Sequence, residues 1–232
     1  DYDKNKRDIG SIYGGYEGQF GPHLARLNLR YDHYSDVGNA VTYLVGYGYK
    51  ITPQWQVSGN AGNAFSAPTF NHLYFPNFGN ADLKPEKSQN QEVSLRYTGQ
   101  QSTFRTTVFH TRIHDLIGGY PLRNFAKADV RGLEFDWTYD WRPLDFKAKL
   151  TLQKPEDKET NGLLNRRSRQ YGMIRVGYTD RFWGSSIEWL GVGKRIDNGV
   201  HLGGYSVLNL NARYQIHRDW MIGAFIDNIA DK

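Results

Sequence analysis

The sequence contains no cysteine, which excludes a disulfide framework, a thiolate metal site and a cysteine nucleophile. It has no run of about 18 apolar residues, so it encodes no membrane-spanning helix. No signal peptide opens it, and Asp1 reads as loop sequence, so the start is expected to be a cut within a longer protein. What is plentiful is aromatic residues and glycine. Aromatics make up 15% of the 232 residues, with 16 Tyr, 12 Phe and 6 Trp, beside 25 Gly. A mean hydropathy of -0.67 is too polar for a bundle of membrane helices. This balance fits a β-barrel with one face toward lipid and one toward water, and it also fits a soluble all-β protein. The net charge is +5 and the pI about 9.2. The basic residues are interleaved with acids rather than clustered, so no nucleic-acid partner is expected.

The dominant pattern is alternation with period two, broken by turn residues about every ten positions. Val41, Tyr43, Val45, Tyr47, Tyr49 and Ile51 fall on one face; Thr42, Gly46, Gly48 and Lys50 fall on the other, with Leu44 an apolar exception. Likewise Leu133, Phe135, Trp137, Tyr139 and Trp141 oppose Glu134, Asp136, Thr138 and Asp140. The pattern predicts about twelve strands, at roughly 9–20, 23–34, 39–51, 55–65, 89–98, 102–114, 126–141, 144–154, 168–179, 184–196, 204–215 and 219–229, and no helix. A tilted strand of about 9–11 residues crosses a bilayer, whereas strands of soluble sandwiches usually run about 5–6 residues.

The connections alternate in length. Gly21-Pro22, Thr52-Pro53-Gln54, Gly99-Gln100-Gln101, Arg142-Pro143, Asp180-Arg181-Phe182 and His217-Arg218-Asp219 are short; 66–88, 115–125, 155–167 and 197–203 are long, with 35–38 a short exception. Outer-membrane barrels have short periplasmic turns and long external loops. Aromatics near strand ends, among them Phe20, Tyr34, Trp55, Phe65, Trp141, Trp183 and Trp220, stand where a membrane girdle would place them. The charged residues on the second face require a wide, wet or plugged interior rather than a dry core. The expectation is an all-β, antiparallel transmembrane barrel in a bacterial outer membrane, in contact with lipid and lipopolysaccharide.

Between residues 64 and 88 a motif stands out. Ala64-Phe65-Ser66-Ala67-Pro68-Thr69-Phe70 precedes His72-Leu73-Tyr74-Phe75-Pro76, followed by Asn80-Ala81-Asp82-Leu83-Lys84-Pro85-Glu86-Lys87-Ser88, with Glu92 in the next strand. Further on come Asp115-Leu116-Ile117, the series Asn124, Lys127, Ala128, Gly132, Glu134, and Asp227-Asn228-Ile229-Ala230-Asp231-Lys232. Kept in this order, these segments resemble the TonB-dependent receptors, with Phe65, Ala67, Pro68, Leu83, Pro85, Glu86, Ser88 and Glu92 as the motif positions. Within that family, the run from Phe65 to Tyr74, Leu83 to Ser88 and Leu163-Leu164-Asn165-Arg166-Arg167 look most like cobalamin receptors, with Asn165 a departure. Ferric-siderophore and haem receptors share much of the same wording, and they remain the alternative.

The resemblance implies a barrel of about 22 strands around a plug, with uptake of a nutrient chelate energised by TonB through that plug. Residues 1–232 would then be a partial barrel domain of about twelve strands, without plug or final strand. No calcium ligand is carried over. Ligand contacts are expected at the outer loops: Phe70, His72, Tyr74, Phe75 and Phe78 as an aromatic wall against a flat chelate, or else packed on one another. Arg166, Arg167 and Arg169, at an outer strand end, would meet an anionic ligand or lipopolysaccharide phosphate, or stand as solvated rim charges. Lys127 and Arg131 are expected to face the lumen, toward ligand or in ion pairs with Glu134 or plug acids.

No enzymatic function and no cofactor are expected, since no nucleophile-elbow or metalloprotease motif occurs. His110 and His114 would lie about 13 Å apart along a strand, too far for one metal ion. Two other function classes stay open: a passive porin or adhesin barrel, and a soluble sandwich binding module.

Overall fold

The computed structural model describes residues 6–125 and 127–229. In chain order the elements are β1 (Ile9–Phe20), β2 (His23–Tyr34), β3 (Gly38–Lys50), β4 (Trp55–Ser66), α1 (Phe70–Tyr74), β5 (Glu86–Thr98), β6 (Ser102–His114), β7 (Ile117–Gly118), β8 (Arg123–Asn124), β9 (Ala128–Trp141), β10 (Leu144–Asp157), β11 (Gln170–Thr179), β12 (Trp183–Val192), β13 (Arg195–Asp197), β14 (Val200–Leu202), β15 (Tyr205–His217) and β16 (Trp220–Ile226). Twelve of them form one antiparallel sheet in the order β1-β2-β3-β4-β5-β6-β9-β10-β11-β12-β15-β16. The sheet is an up-and-down meander, as short turns between long alternating strands demand. The hairpins β7–β8 and β13–β14 sit on two of the long connections.

Cross-strand register separates two faces. Tyr47, Gly59, Val93, Val108, Leu133 and Leu152 stand side by side across six strands. One residue along, Gly48, Ser58, Ser94, Thr107, Glu134 and Thr151 form the neighbouring row on the opposite face. The apolar side chains are the open ones: Val93 is 58% and Val108 60% exposed, against 7% for Thr107 and 9% for Thr151. Such a sheet is curved with its polar side concave, inverting the arrangement of a water-soluble fold. A continuous exposed apolar face of this extent marks contact with a nonaqueous environment. On the concave side polar groups bond one another, as where Ser94 Oγ lies 2.8 Å from Thr107 Oγ1 and Asn60 donates to Glu92 at 2.9 Å.

Aromatic pairs cluster at the short-turn end. Trp55 lies 5.0 Å from Tyr97, Trp183 4.5 Å from Tyr214, and His23 5.1 Å from Tyr49, measured between ring centres. The turns themselves are tied by side chains. Asp180 accepts the N–H groups of Phe182 and Trp183, both at 2.7 Å, and the Tyr178 hydroxyl at 2.8 Å. Trp183's N–H is the largest of the effects that hold this carboxyl below the usual carboxylate range, with the Tyr178 hydroxyl and the Phe182 N–H adding to it.

The structure departs from the sequence-based expectation in four places. A single helical turn, α1, interrupts a connection expected to have none, because Thr69 caps it: His72 N–H donates to Thr69 Oγ1 at 3.2 Å and Thr69 N–H reaches His72 Nδ1 at 3.4 Å. The fifth strand begins at Glu86 rather than 89, as β4 pairs with it up to Ser66↔Glu86. The strand expected over 184–196 ends at Val192, and Arg195–Asp197 folds back separately on Val200–Leu202 around Asn198 and Gly199, both with positive φ. Finally, β10 runs through Pro155 to Asp157. Its ladder with β11 stops at Leu152, so Pro155 sits on a local edge where its missing N–H is not needed.

Candidate functional site

The long connections gather at one end of the sheet and interlock. Leu73 of α1, Leu83 and Leu122 form a small buried apolar cluster, with Tyr74 and Ile117 packed against it. Hydrogen bonds then stitch connection 67–85 to the β6–β9 connection. Asn80 Nδ2 donates to the Leu122 carbonyl at 2.9 Å. Asn124 accepts the Lys84 N–H at 2.7 Å and donates to the carbonyls of Lys84 and Asp115 at 2.8 and 2.7 Å. Glu86 Oε1 accepts the Ile117 N–H at 2.7 Å. The opposite flank is pinned by Arg7, whose guanidinium grips Asp36 at 2.7–2.9 Å and donates to the Pro68 carbonyl at 2.9 Å. The same guanidinium lies 5.3 Å from the centre of the Phe70 ring. Several motif positions thus carry the loop architecture: Pro68 is fully buried, Leu83 fills the cluster, and Glu86 anchors the neighbouring hairpin.

The aromatic wall divides. Phe70, His72 and Tyr74 are half-buried in loop packing, with Phe70 stacked on Tyr74 at 6.2 Å and His72 engaged in the cap. Phe75 and Phe78 are exposed and meet edge-to-face at 6.5 Å; Phe78 stacks on Tyr120 at 6.0 Å. Tyr120, 83% exposed at the tip of the β7–β8 hairpin, extends this aromatic surface and was not singled out in the sequence. A tyrosine beside Gly119 and Pro121 in a turn carries no periodic signal.

The basic candidates separate as well. Arg166 is bonded to Asp197 at 2.8 Å, and its N–H donates to the Ile196 carbonyl at 2.6 Å, tying connection 158–169 to the β13–β14 hairpin. Arg167 instead lines a cleft of about 520 Å³ on the concave side, with Thr111, Val130, Gln153, Leu116, Phe125 and Leu164 among its walls. Arg169 is exposed, and its carbonyl accepts the Gln153 N–H at 2.7 Å. Lys127 is exposed outside the strands, where its carbonyl accepts the Lys158 N–H at 2.8 Å. Arg131 corrects the lumen-facing expectation. It stands opposite His110 and Lys154, on the face of Leu133 and Val108, and lies 3.7 Å from Glu156 rather than near Glu134 on the other side. Period two alone leaves the choice of face to neighbouring residues, and three polar residues in a row, His110, Arg131 and Lys154, here belong to the apolar side. Ser88 and Glu92 lie on the concave face, and Phe65 rests 5.3 Å from Tyr34. Motif residues 230–232 lie outside the described residues.

The arrangement is a polar concave wall, capped at one end by tied loops that expose aromatic rings and a guanidinium. Such an arrangement offers flat aromatic surfaces and a cation to a molecule seated against it. A protein-family model described as "TonB dependent receptor-like, beta-barrel" matches residues 1–229. The chain belongs to the TonB-dependent receptor family. Among curated relatives of this receptor chain, the vitamin B12 transporter BtuB of Vibrio vulnificus is 27% identical over 243 residues, covering 100% of the chain and 39% of the relative. BtuB of Photobacterium profundum is 28% identical over 250 residues, covering 100% and 40%. The chain therefore spans about two fifths of the length of these relatives. A crystal structure of a mutant ferric enterobactin receptor, PfeA of Pseudomonas aeruginosa, superposes with a TM-score of 0.83 at 20% identity, covering 97% of the chain and 40% of the neighbour. At that identity the likeness is one of fold.

Proposed function

We propose that this chain forms part of an outer-membrane receptor that takes up a nutrient chelate with energy delivered by TonB, and that the chelate is cobalamin. The observation that carries the reading is the concave cleft under the tied loops, where Arg167 joins Leu116, Phe125 and Leu164 beside the polar strand residues Thr111 and Gln153. A pocket whose lining is divided between apolar side chains and polar groups, Asp157 and Asn165 among them, suits a large chelate that presents both ring faces and amides. Phe75, Phe78 and Tyr120, exposed on the loops above, supply flat surfaces for first contact. The choice of cobalamin is supported by the two curated relatives, both named vitamin B12 transporters. The apolar convex face and the girdle of aromatic pairs support placement in a bilayer, with the long loops outside. Lys127, Phe70, His72 and Tyr74 act in this reading by positioning the loops, and the plug that contacts TonB belongs to the remainder of the receptor.

The test is calorimetric titration of the complete gene product, purified from outer membranes, with cyanocobalamin and separately with ferric enterobactin. Tight, saturable binding of cyanocobalamin alone is expected. Binding of the ferric chelate alone overturns the cobalamin assignment and leaves a siderophore receptor. Binding of neither, with steady conductance in a planar bilayer, replaces the reading with a passive pore.

A further inference from the structure

Four adjacent strands carry cations where the apolar face ends. On β5, β6, β9 and β10 the outward row Val93, Val108, Leu133 and Leu152 is followed, toward the long loops, by Lys87, Arg112, Arg131 and Lys154 on the same face. The register leaves no ambiguity: Arg131 stands opposite both His110 and Lys154, and Arg112 opposite Asp129. Arg112, Arg131 and Lys154 each lie eleven residues from the short turn that ends their strand. With about 3.3 Å per residue and a tilt of about 40°, each residue climbs about 2.5 Å, so these side chains start about 28 Å above the turns. An apolar band of about 25 Å beginning at the aromatic girdle ends near that level. Height alone does not call for a cluster of Lys and Arg there, because on β1 and β2 the outward residues eleven from their turn are Gly10 and His33, in register with Asn39 of β3.

The patch is not neutralised internally. Glu156 is shared among Lys158 at 2.9 Å, Arg131 at 3.7 Å and Lys154, while Asp129 accepts from His110 at 2.7 Å and lies 3.8 Å from Arg112. Lys87, on the adjacent strand beside His114, has no carboxylate opposite it. Five cations thus face two carboxylates, and half or more of the Arg112, Arg131 and Lys154 side chains is open. The side chains lie on the convex face, turned away from the cleft, so a nutrient in the lumen cannot meet them. A partner for them has to approach from outside the barrel wall, and it meets apolar side chains beside the cations.

We propose that this patch binds the phosphate-bearing headgroup of lipopolysaccharide in the outer leaflet, with acyl chains against Val93, Val108, Leu133 and Leu152. Guanidinium groups pair bidentately with phosphate, and the long-loop end of the sheet is the one that faces the outer leaflet. The inference rests on the outer-membrane placement given above.

The test quantifies lipopolysaccharide retained by the complete gene product after extraction from outer membranes and washing in mild detergent. Replacing the three cations together (Arg112→Gln, Arg131→Gln, Lys154→Gln) is expected to lower retention at least fivefold. A control triple on the concave face (Arg96→Gln, Arg105→Gln, Lys149→Gln) is expected to leave it unchanged. Equal losses in both triples, or none in the first, overturn the proposal. A second measurement needs no variant: delipidated wild-type protein is titrated with intact and with enzymatically dephosphorylated lipopolysaccharide. At least fivefold weaker binding of the dephosphorylated form is expected, and equal binding overturns the proposal even where the triple variant does not fold. Membrane fractionation of the wild type separates the two claims, since absence from the outer membrane refutes the placement, whereas presence there with equal binding refutes only the lipid site.

Discussion

Replacing Asn124 with alanine removes the side chain that joins the two loops over the cleft. Three hydrogen bonds go with it, from the Lys84 N–H and to the carbonyls of Lys84 and Asp115. Two of them are solvent-exposed and one is partly buried, so water replaces much of what is lost. Taking about 0.5 kcal/mol for each exposed bond and about 1 kcal/mol for the partly buried one gives about 2 kcal/mol. That corresponds to a change of roughly 30-fold in the local opening equilibrium. Hydrogen exchange read by mass spectrometry on the complete gene product checks it. Peptides covering 80–86 and 115–125 are expected to exchange roughly 30-fold faster in the variant, with peptides from β11 and β12 unchanged. Unchanged exchange in the loop peptides, or faster exchange throughout the sheet, would refute the idea that Asn124 is a local clasp.

Other outcomes follow from the same geometry. Arg7→Ala leaves Asp36 half-buried without its main partner, so connection 67–75 is expected to lose about 1–3 kcal/mol of local stability, visible as earlier proteolytic cutting there. The double change Phe78→Ser with Tyr120→Ser removes the exposed stack and is expected to weaken chelate binding about tenfold in calorimetry, the loss of roughly 1.4 kcal/mol, without moving the thermal midpoint. Gly132→Val puts a side chain where a Cβ would collide with the Leu152 carbonyl and come 2.8 Å from the Phe109 ring; a cost of about 1–3 kcal/mol is expected as a reduced folded fraction in heat-modifiability gels. Asp180 titrates below its unfolded value of about 3.9; its contribution is complete above that pH and is lost as pH falls through the lower folded value. Carbon-13 NMR of its carboxyl is expected to show that depression, and to show it lessened in Tyr178→Phe.

The sheet was legible because most strands alternate over much of their length, and because turns such as Arg142-Pro143 and Asp180 to Phe182 punctuate it sharply. The motif from Asn80 to Ser88 pointed to the family, and the structure gives it a physical reason: Asn80, Leu83 and Glu86 fix one loop against the next. The division of labour within the loops was less legible. Nothing local distinguishes Phe70, stacked under Arg7, from Phe78, open to solvent, since the difference lies in partners more than 40 residues away. The same holds for Arg131 and Arg166, whose roles are set by Glu156 and Asp197 across neighbouring strands and hairpins.

Uptake of radiolabelled cyanocobalamin tests energised import most directly. The complete gene is expressed in a bacterial host stripped of its own cobalamin receptor, with and without functional TonB. Accumulation is expected in the host with TonB and only surface binding in the host without it. Equal accumulation in both hosts, or none in either despite the protein's presence in the outer membrane, would contradict it.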